Sequence, residues 1–237
     1  MITKPQVIEF AKSAGAAKCG IAPFRTYDEL LPLLEKRGDV PFVKKDITRR
    51  INPELYLKGG KSIIVCLFPY RNGDITDVAR YARGGDYHSY VKEKLNSICE
   101  KIGDGYRYKC IVDSGGLCDK HLAYLAGLGF FGKNNLFYSD NLGSRFYIGS
   151  ILTDLELEPD EPLNKTCLLC DRCVKSCPGG ALGNGYELDY KKCISYLTQK
   201  NEPVSEDEEK LIKKSGLTLG CDICTDVCPL NKGINND

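Results

Sequence analysis

Thirteen of the 237 residues are cysteine, and eight of the thirteen fall after Thr166. Four of these, Cys167, Cys170, Cys173 and Cys177, are spaced C-x2-C-x2-C-x3-C and run directly into Pro178. A shorter run, Cys221, Cys224 and Cys228, also ends on a proline, Pro229. Thiolates are soft ligands, and three of them on one tight loop can each take a corner of an iron-sulfur cubane, while a fourth, displaced by a turn, points at a different cluster. One such run therefore implies a second.

The first run has the spacing of bacterial ferredoxins. The second is incomplete, because counting back from Cys228 in the same spacing demands thiolates at 224, 221 and 218, and position 218 is Thr218. Cys193, in "KKCISYL", is the one remaining cysteine between the runs and is the natural substitute. The inferred ligation is Cys167, Cys170, Cys173 and Cys228 for one [4Fe-4S] cluster, and Cys221, Cys224, Cys193 and Cys177 for the other. Zinc held by four thiolates also uses C-x2-C pairs, but the doubled C-x3-C-P ending favours iron-sulfur clusters. The other five cysteines, Cys19, Cys66, Cys99, Cys110 and Cys118, read by default as small hydrophobes in the core.

Such cysteine usage implies a reducing compartment and metal or redox chemistry rather than disulfides. The N-terminus shows no signal-peptide pattern, and no apolar run reaches the ~18 residues of a membrane span, so a cytoplasmic protein without membrane contact is expected. A formal net charge of +1 supplies no global field toward DNA or anionic lipid. With 42% hydrophobic residues the chain can bury a sizeable core.

The elements that must position the thiolates follow from periodicity and caps. A helix is expected from Thr3 to Gly15, with Thr3 as N-cap and Pro5 in the first turn. "KSIIVCLFPY" (Lys61–Tyr70) and "YKCIVD" (Tyr108–Asp113) read as buried strands. Between them, Tyr87, Val91, Leu95, Ile98 and Ile102 share one helical face. A further helix is expected in "CDKHLAYLAGLG", one or two strands in "SRFYIGSILTDLEL", and a capped helix from Ser205 toward Gly216. "LEPDEPLNK" (Leu157–Lys165) is the expected boundary between residues 1–160, an α+β domain, and 161–237, a two-cluster module.

A cubane whose irons all carry thiolates moves electrons and binds no ordinary substrate, so any bond-making belongs to the first 160 residues or the junction. Asp113, ending an apolar strand before Ser114, Gly115 and Gly116, is placed to supply a proton to a substrate being reduced; an aspartate of a simple turn or N-cap has the same local pattern. "GLGFFGKNN" gives a glycine-rich loop with Lys133, Asn134 and Asn135. "YARGGDYH" concentrates aromatic and charged groups, with His88 a possible metal ligand or an ordinary surface histidine. Basic pairs at Lys44–Lys45, Arg49–Arg50, Lys191–Lys192 and Lys213–Lys214 are either solvated faces or a local phosphate-binding patch.

Taken in order, "YARGGDYH", "VDSGG", "AGLGFFGKNN", "GSRFYIGSILT", the first cysteine run, "ELDYKKCISYLT" and "GCDICTDVCPLN" resemble the epoxyqueuosine reductase family, from about Arg49 to Asn231. The resemblance implies an N-terminal α/β domain of the cobalamin-binding type followed by a bacterial two-[4Fe-4S] ferredoxin-like domain. It implies cobalamin as cofactor, Asp113 as proton donor, and Lys133, Asn134, Ser195 and Asp222 near the corrin. The chemistry implied is reduction of cobalamin to Co(I) by the nearer cluster, attack on epoxyqueuosine in tRNA, and loss of oxygen as water, with ferredoxin or flavodoxin as external donor. This chain departs from the family's usual residues after "VDS", with Gly116, Asp119 and Lys120, and has Phe130 and Phe131 where tryptophan is typical. The longer members carry a further C-terminal region that helps grip tRNA. Two other readings of the residues are a two-cluster electron-transfer protein and a cobalamin-dependent reductase of a non-tRNA substrate, akin to reductive dehalogenases.

Overall fold

The computed structural model describes residues 2–37, 45–113, 116–183 and 185–234; Lys44, Ser114 and Gly115, named above, lie outside them. In chain order the regular elements are α1 (Lys4–Ser13), β1 (Lys18–Pro23), α2 (Leu31–Arg37), α3 (Ile47–Ile51), β2 (Ser62–Pro69), α4 (Arg80–Arg83), α5 (Tyr87–Ile102), β3 (Tyr108–Val112), α6 (Asp119–Leu125), β4 (Phe130–Phe131), β5 (Phe137–Tyr138), β6 (Phe146–Thr153), α7 (Arg172–Ser176), α8 (Ile194–Leu197), α9 (Glu206–Lys213) and α10 (Ile223–Asp226).

Local chemistry starts and stops these elements as expected. α1 opens on a capping box, in which the Thr3 amide donates to the Gln6 side chain at 2.9 Å, and α9 opens on a second one between Ser205 and Glu208. Such boxes satisfy amides that the first helical turn leaves without partners.

Four strands form one sheet in the order β1-β2-β6-β3. β1 runs antiparallel to β2, with Cys19 opposite Cys66, and β3 antiparallel to β6, with Cys110 opposite Ile151. From Ser62 to Phe68 every residue of β2 is buried, which means both faces of this strand are covered. α5 covers part of one face through Val91, Leu95, Ile98 and Ile102, all buried. Burying such side chains stabilises by about 2 kcal/mol each. The helix approaches β6 at Gly149, where a Cβ would stand 2.6 Å from the Val91 side chain. "SRFYIGSILTDLEL" supplies one strand, β6, rather than two.

Compactness divides the chain into two units of three stretches each. The first comprises Met1–Phe68, His88–Leu128 and Tyr147–Leu163 and carries most of the sheet. The second comprises Pro69–Tyr87, Gly129–Phe146 and Asn164–Asp237 and carries all eight clustered cysteines. Within the second unit, β4 and β5 form a hairpin around the 132–136 loop. The buried Asn231 accepts from the Ser144 amide at 2.8 Å and donates to the Thr225 carbonyl at 2.9 Å.

Candidate metal centres and the reactive carboxylate

The first cysteine loop is wound tightly: Leu169 and Asp171 both adopt left-handed backbone, at φ 53° and 57°. Non-glycine residues take that conformation rarely and at a cost. A cavity of the second unit is lined by Cys167, Cys170, Cys173 and Cys228 together with Lys133, Asn134 and Tyr138. This is the foursome inferred from spacing, and it includes the distant Cys228.

The remaining four are also neighbours. The Cys193 and Cys177 thiols lie near enough to bear on both Cys221 and Cys224, and burial above all raises the pKa values of the latter two, Cys224 to about 12. The Ala181 amide donates to Cys177 Sγ at 3.3 Å. Among the described residues, no three His, Cys, Asp or Glu side chains converge on a single ion.

Thr218, the position lacking a thiol, is fully engaged elsewhere. Its amide donates to the Asp77 carbonyl at 2.7 Å, and its hydroxyl donates to the Asp77 carbonyl and carboxylate at 3.1 and 3.0 Å. Val78 then pairs with Leu219 in a parallel bridge. Gly220, at φ +77°, lets this segment in, for a Cβ there would lie 2.6 Å from Ala79 Cβ. The segment after Cys193 is tied to this one, for Thr198, which caps α8, accepts a hydrogen bond from the Gly220 amide at 2.8 Å.

Asp222, next to Cys221, accepts from the Arg80 amide at 2.9 Å and lies 3.4 Å from its guanidinium, which also meets Asp226 at 2.5 Å. Burial raises the Asp222 pKa, and the Arg80 amide and charge oppose that shift. Ser195 is half-buried, its hydroxyl 3.2 Å from the Gln199 amide nitrogen. Lys133 is paired with Asp171, and Asn134 donates to the Tyr138 hydroxyl at 2.9 Å. That hydroxyl in turn meets the Cys228 thiol. Lys133 and Asn134 thus form part of the wall around the first set of thiols.

In the first unit, Asp113 follows β3, an edge strand, in left-handed backbone at φ 45°. Its carboxylate is 60% exposed and stands 3.3 Å from His88 Nε2. Because β3 and β6 run antiparallel, the strand-end position of Asp113 comes from the sheet edge and not from a parallel switch point. Asp119, in the first turn of α6, accepts a hydrogen bond from the Asp113 backbone, and burial first and the Asp113 charge second raise its pKa well above the carboxylate range. Its Oδ1 has no hydrogen-bond partner. Arg80 and the Asp77–Thr218 tie have no motif of their own in the sequence, and Asp119, noted above only as a departure from the family's usual residues, carries no local sign of its burial. The basic pairs are partly offset by close carboxylates: Arg49 by Asp46 at 3.6 Å, Lys192 by Asp189 at 3.2 Å and Lys213 by Glu209 at 4.0 Å. Among the described residues no helix is long and apolar enough to cross a membrane.

Two family models match this chain: residues 166–231 match a 4Fe-4S double cluster binding domain, and residues 50–114 match epoxyqueuosine reductase QueG, DUF1730. The epoxyqueuosine reductase of Bacillus subtilis is 36% identical over 248 residues, covering 97% of this chain and 64% of the relative, so the chain spans about two thirds of that relative's length. That of Cyclobacterium marinum is 34% identical and is covered to 77%. The structure of epoxyqueuosine reductase from Streptococcus thermophilus superposes with a TM-score of 0.90 at 33% identity, covering 100% of this chain and 68% of that one. An epoxyqueuosine reductase bound to an epoxyqueuosine-modified tRNA-Tyr stem loop gives 0.87 at 35% identity, with 99% and 66% coverage. A catabolic reductive dehalogenase shares the fold, at a TM-score of 0.62 and 16% identity over 98% of this chain and 32% of that one. With matching sequence, matching fold and two complete thiol sets, the chain belongs to the epoxyqueuosine reductase family.

Proposed function

We propose that this protein reduces epoxyqueuosine to queuosine in tRNA, drawing electrons through two [4Fe-4S] clusters. The observation that carries the reading is the pairing of eight thiols in two sets with an exposed carboxylate held at a strand end beside a histidine. The reaction takes two electrons and two protons and releases the epoxide oxygen as water. Asp113 supplies a proton to that oxygen, and His88 orients the carboxylate and supports its proton exchange with solvent.

Cysteines 167, 170, 173 and 228 hold one cluster; cysteines 177, 193, 221 and 224 hold the other. Cobalamin, when bound, supplies a reducible cobalt that conveys the electrons to the substrate. Within the second unit, the Ser195 hydroxyl and the Asp222 carboxylate are oxygens able to accept from the amides that fringe a corrin; the Lys133 and Asn134 side chains, paired with Asp171 and Tyr138, border the first set of thiols. An external low-potential donor such as ferredoxin or flavodoxin completes the chain, in the cytoplasm.

The test is anaerobic reconstitution with iron, sulfide and cobalamin, followed by incubation with an epoxyqueuosine-modified tRNA stem loop and a low-potential donor. Queuosine should form, and only when cobalamin is present. Full clusters without cobalamin binding would identify an electron carrier, and turnover of small organohalides but not of the stem loop would identify a reductase of another substrate.

A further inference from the structure

Four of the five cysteines outside the cluster sets converge in the first unit. Cys99 on α5 and Cys110 on β3 bring their Sγ atoms to 3.8 Å. Cys19 and Cys66 face each other across β1 and β2, and Cys66 also feels the thiols of Cys99 and Cys110. Packing as small hydrophobes explains a single buried cysteine, and Cys66 is fully buried. Cys99 and Cys110 are instead half-buried, with Cys110 Sγ 3.5 Å from the Asn96 side-chain oxygen.

We propose that Cys99 and Cys110 form an oxidisable dithiol, a modification site at which a peroxide converts the two thiols to a disulfide. Cys110 is the attacking sulfur. Its pKa is lowered, first by its hydrogen bond with Cys99, in which either sulfur can donate, then, against the effect of burial, by the charges of Lys92 and Lys109. The thiolate is the form that attacks peroxide. Cys110 thiolate displaces hydroxide from hydrogen peroxide, giving a sulfenic acid. Cys99 sulfur then attacks that sulfur, its proton leaves with the departing oxygen as water, and the disulfide forms. Two electrons pass from the thiols to the peroxide.

Closing 3.8 Å to the ~2 Å of a disulfide asks a small shift of β3, which as an edge strand has one side unconstrained by the sheet. Cys19 lies on β1, the other edge strand, but its partner Cys66 on β2 is fully buried, and the Cys66 pKa is raised by Cys19 and by burial, so that pair reacts more slowly. The disulfide would tie α5 to β3, the elements that present His88 and Asp113.

The test treats the anaerobically reconstituted full-length protein with one equivalent of hydrogen peroxide, blocks free thiols by alkylation, and maps peptides by mass spectrometry. Trypsin separates Leu95–Lys101, holding Cys99, from Cys110–Lys120, which also holds Cys118; fragmentation assigns the bridge. The expected result is a Cys99–Cys110 bridge in about tenfold excess over Cys19–Cys66, with C99S accumulating dimedone-reactive sulfenic acid at Cys110. Full alkylation of both cysteines in the wild-type protein after peroxide, or a bridge from Cys110 chiefly to Cys118, overturns the proposal without recourse to any variant. Turnover of tRNA is not read in this experiment, so its outcome is independent of the proposed activity.

Discussion

Cys193 and Thr218 offer the sharpest test of how the second cluster is held. With both clusters loaded, eight thiolates hold about eight irons, about four per cluster. Replacing Cys193 with serine removes one corner of the second set and should lower the iron content to about four per chain. The ferredoxin spacing suggests a rescue: place cysteine at 218 in the same background. The structure says the rescue fails, because residue 218 is pinned to Asp77 through its amide at 2.7 Å, whereas Cys193 is drawn to the cluster loop by the bond from Gly220 to Thr198 at 2.8 Å. Thr218→Cys alone loses the hydroxyl's bonds to Asp77 at an exposed position, about 1 kcal/mol, and should lower Tm slightly while keeping about eight irons. Iron and sulfide analysis with electron paramagnetic resonance after anaerobic reconstitution reads all three variants. Recovery of about eight irons in the double variant would refute the claim that the Asp77 tie keeps residue 218 from the corner, and about eight irons in Cys193→Ser alone would refute the assignment of Cys193.

Asp113→Asn should reduce turnover of the epoxyqueuosine stem loop by about 10²–10⁴-fold with iron content unchanged; wild-type turnover would remove Asp113 from proton delivery. Lys133→Met takes a cation from beside Cys167 and Cys173 and leaves Asp171 negative, so the first cluster's potential should fall in a redox titration, and a rise would contradict the placement of the charge. Ser205→Ala should cost about 0.5–1 kcal/mol in denaturant unfolding, near the lower figure because the Ser205 oxygen accepts at a long 3.4 Å. The hydrogen-bonded Arg25 guanidinium, against the opposing effect of burial and with a smaller contribution from His121, holds Glu29 down at a pKa of about 2. A depressed carboxylate stabilises above its unfolded pKa and loses that contribution as pH falls through its folded one. Glu29→Gln should therefore lower Tm at pH 7, modestly because the pair is exposed, and the difference from wild type should vanish toward pH 2; a constant difference across that range would contradict it.

Much of this was legible because it rests on short-range rules. The cap at Thr3, the apolar face of α5 and the buried run of β2 are each dictated within a dozen residues, and each stands where expected. Ligand pairing was legible for a different reason: iron-sulfur geometry imposes spacing, so a gap at 218 could be detected by counting. What spacing could not reveal was why the gap exists, since Asp77 lies 141 residues from Thr218. Long-range partners carry no local signature, which also hid Arg80 beside Asp222 and the convergence of Cys99 with Cys110. Lys133 and Asn134 illustrate the limit of motif reading. Their loop reads in the sequence as a glycine-rich turn, and only their partners, Asp171 and Tyr138, show that they line a thiol cavity.

The interleaving of the second unit bears on how this fold can be taken apart. Its eight thiols lie within 167–228, which invites treating that stretch as a portable electron-transfer cassette. Yet Asp77 holds the corner at Thr218, Asn134 and Tyr138 line the wall at Cys228, and Ser144 anchors Asn231. All of these come from stretches made earlier in synthesis. A fragment beginning at Asn164 would lack three sides of its own container, and grafting it elsewhere would carry the ligands without the scaffold that aims them.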